Sequence, residues 1–178
     1  MSWRQRQARI PLPSVPACLP GIRAIWPSCA WPRRRPAGAN RWGRPQAYGS
    51  IVAQVAEVSL GPDKAVRVHR VVCAIDCGMP VNPNLIRQQM ESAIVFGLSA
   101  ALFEEITIVD GQVQQKTFGD FPVIFMNNCP AIETYIMPSR QHPQGVGEPG
   151  TPPIAPAVAN AVFALTGQRL RALPLKLA

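Results

Sequence analysis

The period of the apolar positions changes several times between Tyr48 and the C-terminus, and each change marks an element. Ile51 to Leu60 and Val66 to Ile75 are dense in Val and Ile, with Gly61-Pro62-Asp63-Lys64 between them. β-Branched runs on either side of a Gly/Pro/Asp cluster predict a β-hairpin. Asn82-Pro83 opens a different pattern, in which Ile86, Met90, Ile94, Leu98, Ala101 and Leu102 recur mostly at spacings of three and four. This is the stripe of an amphipathic helix, begun by an Asn cap with Pro in the first turn. Gly97 inside it costs about 1 kcal/mol against Ala and predicts a close approach by another element. Ile106 to Val109 and Gln112 to Thr117 flank Asp110-Gly111, a type I′ hairpin signal. Ile132 to Met137 is a further strand, Ala155 to Leu165 a short apolar helix ended by Gly167, and Leu170 to Leu175 an extended tail. Helix and strand patterns mixed within 178 residues predict one α/β (mixed α+β) domain.

Charge and composition change the picture only for the first 47 residues. The formal charge of +8 suggests a nucleic-acid partner until its location is read. Residues 1–47 hold nine Arg, no Lys and no acid, so residues 48–178 carry nine basic and ten acidic side chains and net −1. The basicity is therefore no property of a folded face, and no nucleic-acid partner is expected. Arg33-Arg34-Arg35 leaves an Arg-rich nucleic-acid module as a minor alternative. All four Trp and eight of the 20 Pro also fall in residues 1–47, whereas all six Phe lie beyond residue 95. Pro11, Pro13, Pro16 and Pro20 would break the apolar helix of a secretory signal. This stretch reads as a disordered extension, or as one that does not share the reading frame of the rest. The domain is placed at residues 48–178. No run approaches the ~18 uncharged apolar residues of a membrane span. Five Cys is an odd count, which with no signal sequence favours a reducing, cytoplasmic setting over a disulfide framework. Cys73 and Cys77 lack the spacing and second pair of a zinc site and read as small buried hydrophobes, and no side-chain metal site is expected.

The segment that carries chemistry is Gln144-Gly145-Val146-Gly147-Glu148-Pro149-Gly150-Thr151-Pro152-Pro153. Its Gly-x-Gly-x-x-Gly spacing fails as a dinucleotide fingerprint. No strand runs into Gly145, Pro149 and Pro152 remove backbone donors, and no acid follows some 20 residues on. A Glu between glycines is unshadowed, and its backbone can lie close to a bulky ligand. A helix starting near Thr151 or Pro152 would favour negative charge ahead of it. Glu148 is thus a candidate general base, set against the plain alternative of a solvated turn residue.

Three stretches carry a family resemblance: AIDCGMPVNP from Ala74 to Pro83, QMESAIVFGL from Gln89 to Leu98, and GVGEPGTPPIAPAVANA from Gly145 to Ala161. In this order and spacing, residues 48–178 resemble the C-terminal part of the molybdopterin-binding large subunit of the xanthine dehydrogenase/aldehyde oxidase family of molybdenum hydroxylases, in particular the isoquinoline 1-oxidoreductase β-subunit type. The resemblance implies an oxidoreductase that hydroxylates an aldehyde or N-heteroaromatic substrate with water-derived oxygen. It implies Glu148 as the base beside molybdenum, Gln89 as a contact to the pterin, and the backbone of Gly145, Val146 and Gly147 against the cofactor. The cofactor would be molybdenum–molybdopterin, in its cytosine dinucleotide form, with the metal held by the pterin dithiolene. The implied partners are the rest of the large subunit, a small [2Fe-2S] subunit that takes the electrons, and the small-molecule substrate. Ser92 stands where the family usually has glycine and Phe96 where many members have glutamine. Since the front of such a subunit is not in this sequence, the chain by itself is expected to retain no cofactor and to be inactive. A truncated remnant that folds without catalysing is the alternative.

Overall fold

The structure, a computed structural model, describes residues 46–177. The expected disordered or out-of-frame stretch, 1–47, lies outside these except for its last two residues, which form a strand, β1 (Gln46–Ala47). β2 (Ser50–Leu60) and β3 (Val66–Asp76) make the long hairpin that the sequence predicts, antiparallel with a bulge at Glu57/Val58. Its turn is closed by Gly61 N–H donating to Ala65 O at 2.9 Å, with Lys64 at φ +61°.

Helix α1 (Pro83–Leu102) begins where Asn82-Pro83 predicts. Asn82 Oδ1 accepts from the backbone N–H groups of Asn84 and Leu85, both at 3.1 Å, so the cap satisfies donors that the first turn leaves orphaned. The chain then runs through a long strap that contains the short pair β4 (Ile108–Val109) and β5 (Gln112–Val113) and a 3₁₀ turn, Phe118–Asp120. It returns as β6 (Ala131–Ile136), which lies parallel to β3. A parallel pair needs such a crossover, and here the helix and strap supply it. Helix α2 (Ile154–Thr166) closes the fold and ends on Gly167, which at φ +75° donates its N–H to Phe163 O at 2.8 Å.

The four-stranded sheet has the order β1-β2-β3-β6. α2 packs on β2, α1 packs on β6, and the helices meet each other. The core between them holds Val52, Val71 and Ile75 from the sheet, Met90, Ile94 and Leu98 from α1, and Ile154, Val158 and Val162 from α2. Gly97 is where α1 and α2 touch: a Cβ there would stand 2.6 Å from Ile154 Cγ2 and 2.9 Å from Thr151 O. The predicted close approach is therefore real.

Two expectations need correction, the length of one hairpin and the start of α2. The Asp110-Gly111 turn is present, with both residues at positive φ, but its arms are two residues each and not four and six. They lie on the surface with no further strand or core face to extend against. The tail at residues 170–175 is tied down where Leu175 donates its N–H to Ala101 O at 2.8 Å and buries its side chain, which satisfies a carbonyl at the end of α1. α2 begins at Ile154, later than Thr151 or Pro152, because residues 151–153 are spent in turns. Cys73 and Cys77 are buried as expected, and burial pushes the Cys73 thiol up to about 12. Among the described residues no helix is long and apolar enough to cross a membrane.

Candidate active site

The loop Gln144–Thr151 runs across the end of the sheet and is tied down at both ends. Gln144 N–H donates to Cys77 O at 2.9 Å, and Gly145 N–H to Tyr48 O at 3.1 Å. Gly145 O in turn accepts from the buried Ser50 hydroxyl at 2.6 Å. At the other end Gln54 Nε2 donates to Gly150 O at 2.7 Å, and Thr151 Oγ1 donates to Ala93 O at 3.4 Å. Glu148 O accepts from Thr151 N–H at 3.0 Å, closing a turn whose Pro149 is fully buried. Two of the glycines are required by packing. A Cβ on Gly145 would lie 2.7 Å from Tyr48 Cβ, and one on Gly150 would lie 2.9 Å from Ala93 Cβ. Gly147 differs, because a Cβ there would meet nothing within 4 Å. Its open face is the one that a bulky group could occupy.

That face opens on a cavity of about 360 Å³ between α1 and the loop, lined by Gln89, Ser92, Ala93, Phe96, Gly147, Glu148, Thr151 and Pro152. Of the five residues singled out in the sequence, Gln89, Gly147 and Glu148 line this cavity. Gly145 sits behind it against Tyr48, and Val146 packs on the core. Ser92 and Phe96 line it as well. They also line a second, wider groove of about 820 Å³ that runs on between α1 and the strap, past Cys129 and Ile132. The seam at Gly97 and Gly150 explains the convergence. With no side chain at either position, α1 and the loop come close enough for the next helical positions outward, Ser92 and Phe96, to face Glu148.

Two polar side chains that matter here were missed in the sequence. Tyr48 donates its hydroxyl to Glu148 Oε2 at 2.7 Å. The carboxylate beside it raises the Tyr48 phenol above its ordinary value of 10.0, chiefly through that hydrogen bond and then through its charge. Gln54 reaches Gly150 from within the sheet, and its own Oε1 is buried without a partner among the described residues. The signal for Tyr48 was a Tyr-Gly pair at the start of a β run, which reads as a two-residue turn; nothing local marks Gln54.

The sequence profile of the molybdopterin cofactor-binding domain matches residues 26–130. The chain belongs to this family of molybdopterin-binding subunits, that of xanthine dehydrogenase and aldehyde oxidase. The match starts inside the Arg/Pro/Trp-rich stretch, so the family pattern reaches further forward than Tyr48. The β subunit of isoquinoline 1-oxidoreductase from Brevundimonas diminuta is 35% identical over 160 residues, covering 87% of this chain and 20% of that protein. A nicotinate dehydrogenase subunit from Pseudomonas putida is 39% identical over 112 residues, covering 62% of this chain and 9% of that protein. Reconstituted CO dehydrogenase from Oligotropha carboxidovorans superposes with a TM-score of 0.61 at 26% identity, over 66% of this chain and 16% of that one. The chain thus spans a fifth or less of the length of these relatives.

The molybdopterin that the family implies can be tested against the cavity. Its walls offer an amide from Gln89, hydroxyls from Ser92 and Thr151, open backbone at Gly147 and one carboxylate. This is a hydrogen-bonding set suited to a heterocycle with ring nitrogens and amide groups. Among the described residues no three His, Cys, Asp or Glu are grouped as metal ligands. The residues fit the group, as one wall of its site.

Proposed function

We propose that this chain supplies one wall of the molybdenum-cofactor site of a hydroxylase acting on an aldehyde or an N-heteroaromatic compound, with Glu148 as the general base. One observation carries this reading. Gln89 and Glu148, 59 positions apart, line the same cavity from opposite sides, one on a rigid helix and one on a loop pinned at both ends. Bound there, the cofactor would supply the redox chemistry and the activated oxygen. The protein's part is positional and protic. Gln89 would hold a polar edge of the pterin, and Gly147 would let it lie against the backbone. The Glu148 carboxylate would accept the proton released as oxygen is transferred. The turn closed by Thr151 N–H on Glu148 O fixes the backbone that carries this side chain. Positioned general bases are worth about 10²–10⁴ in rate.

The cytosine dinucleotide form of the cofactor and an iron–sulfur partner that takes the electrons complete the proposal, supported by the likeness to multi-subunit relatives. The remaining walls would come from the rest of a large subunit. The apolar side chains that this chain leaves in the open, Phe118 and Met126 at 100% and 98% exposure, support such a neighbour. The test is Glu148→Gln in a full-length subunit. Turnover should fall by at least about 10²-fold while molybdenum content is kept, because the amide preserves shape but takes no proton. Retention of more than about a tenth of kcat would make Glu148 an ordinary loop residue. Gln89→Ala should instead lower the molybdenum content. The 178-residue chain alone should hold no stoichiometric molybdenum, since one wall leaves most polar groups of the cofactor unpaired. Metal analysis after expression in a molybdenum-replete host reads this directly, and stoichiometric metal would show that one wall suffices.

A further inference from the structure

The turn between β1 and β2 is built from Tyr48 and Gly49, at φ +53° and +83°, with Ala47 paired to Ser50 across it. Both central residues are left-handed, as a type I′ turn demands. Gly49 suits its place, since a Cβ there would collide with the Gln144 side chain. Tyr48 does not suit its own. A bulky non-glycine residue at positive φ is costly, and Asn, Asp or Gly would serve the turn better. Burial does not explain the tyrosine either, because it is 67% exposed.

What Tyr48 does make is a pair of bonds to one loop. Its carbonyl accepts from Gly145 N–H, and its hydroxyl donates to Glu148 Oε2 at 2.7 Å. The Ser50 hydroxyl, two residues on, secures Gly145 from the other side. The left-handed turn therefore turns the ring over the loop, and Gly145 lacks the Cβ that would block it. Among the described residues the Tyr48 phenol is the hydrogen-bond partner of the Glu148 carboxylate.

We propose that Tyr48 is the positioning residue for Glu148, anchoring carboxylate oxygen Oε2 so that Oε1 is the oxygen presented to the cavity for the proton. This deepens, and rests on, the reading of Glu148 as the base. A carboxylate with one oxygen anchored has a single approach direction for the proton, which bears on the rate of transfer and not on substrate binding. A phenol is protonated, and so a donor, throughout the neutral range.

Two measurements test this, one of them without cofactor. The chain has two tyrosines, so Tyr135→Phe leaves Tyr48 as the sole phenol that titrates. Ultraviolet titration of tyrosinate in the 178-residue chain should give a midpoint above the ordinary value of 10.0, and Glu148→Ala should return it toward that value. Circular dichroism across the same pH range shows that the fold is intact. An unchanged midpoint in Glu148→Ala overturns the contact and with it the proposal. In a full-length subunit, Tyr48→Phe should lower kcat about tenfold, with KM and molybdenum content within twofold. Tyr48→Asn, which accommodates positive φ, should show the same loss of kcat without loss of thermal stability. If Tyr48→Phe keeps full kcat while Glu148→Gln abolishes it, the positioning role is overturned and the base stands. If Glu148→Gln keeps its turnover, the base reading fails, whatever the titration shows.

Discussion

Two stretches of this chain are rich in the same kinds of side chain and treat them in opposite ways. In the seam where α1 and α2 meet the sheet, Met90, Ile94, Leu98, Ile154, Val158 and Val162 are each wholly buried. In the strap between α1 and β6, Ile106, Ile108, Phe118, Phe125 and Met126 stand more than half exposed. Hydrophobicity is the same in both; what differs is whether the chain itself provides a partner surface. The seam brings together two helices and a four-stranded sheet, each with an apolar face turned to the others. The strap has only a pair of two-residue strands and a 3₁₀ turn, which are too small to enclose anything. Apolar side chains in the seam therefore stabilise this domain, whereas those in the strap are available to a neighbour.

Substitutions can break that contrast. The largest effect on stability should come from Leu98→Ala, which empties a wholly buried site and should cost about 2–5 kcal/mol in denaturant unfolding of the 178-residue chain. A cost below about 1 kcal/mol would mean that the seam is loosely packed. Gly97→Val should follow, at about 1–3 kcal/mol, because the new side chain meets the Thr151 backbone as well as Ile154. In a full-length subunit it should also lower kcat, since the element pushed aside is the one that carries Glu148.

A smaller effect is expected from pH. On the sheet face, Arg70 donates to Glu133 at 2.6 Å and to Glu57 at 3.1 Å, and Tyr135 donates to Glu133 at 3.0 Å. The Arg70 hydrogen bond, and then that of Tyr135, hold the Glu133 carboxyl below its ordinary value of 4.5. A carboxyl that is lowered in the folded state contributes stability above its unfolded value and loses it as pH falls through the folded value. Melting temperature should therefore decline below about pH 4.5, and the decline should be shallower in Glu133→Gln. Equal slopes would show that the network carries no linkage. The smallest effect should be that of Phe118→Ser with Met126→Ser, within about 0.5 kcal/mol for each in this chain. A seam-like cost there would erase the difference between the two stretches.

How much of this was legible beforehand follows from how local each signal is. The start of α1 was readable because Asn82 caps its own helix two and three residues on. The Gly61–Lys64 and Asp110-Gly111 turns were readable for the same reason. Strand length was less so: the arms around Asp110-Gly111 carry β-type residues beyond their two-residue ladder, but only a neighbouring strand or core could have extended them. The beginning of α2 was placed early because Pro is tolerated in a first turn, whereas the Glu148 to Thr151 turn occupies that stretch of backbone instead.

The candidate site divides in the same way. Glu148 is marked by its own Gly/Pro loop, where residue type and immediate neighbours suggest its chemistry, and Gln89 by the family resemblance of its motif. Their meeting at one cavity is not, nor is Tyr48 reaching Glu148 across 100 positions or Gln54 reaching Gly150 across 96. Those depend on the parallel pairing of β3 with β6 and on the two glycine contacts that draw α1, α2 and the loop together. Capping, turn formation and periodicity are settled by interactions within a few residues, and so they can be read along the chain. A hydrogen bond between distant segments exists only once packing has brought them together, and that the tertiary structure alone decides.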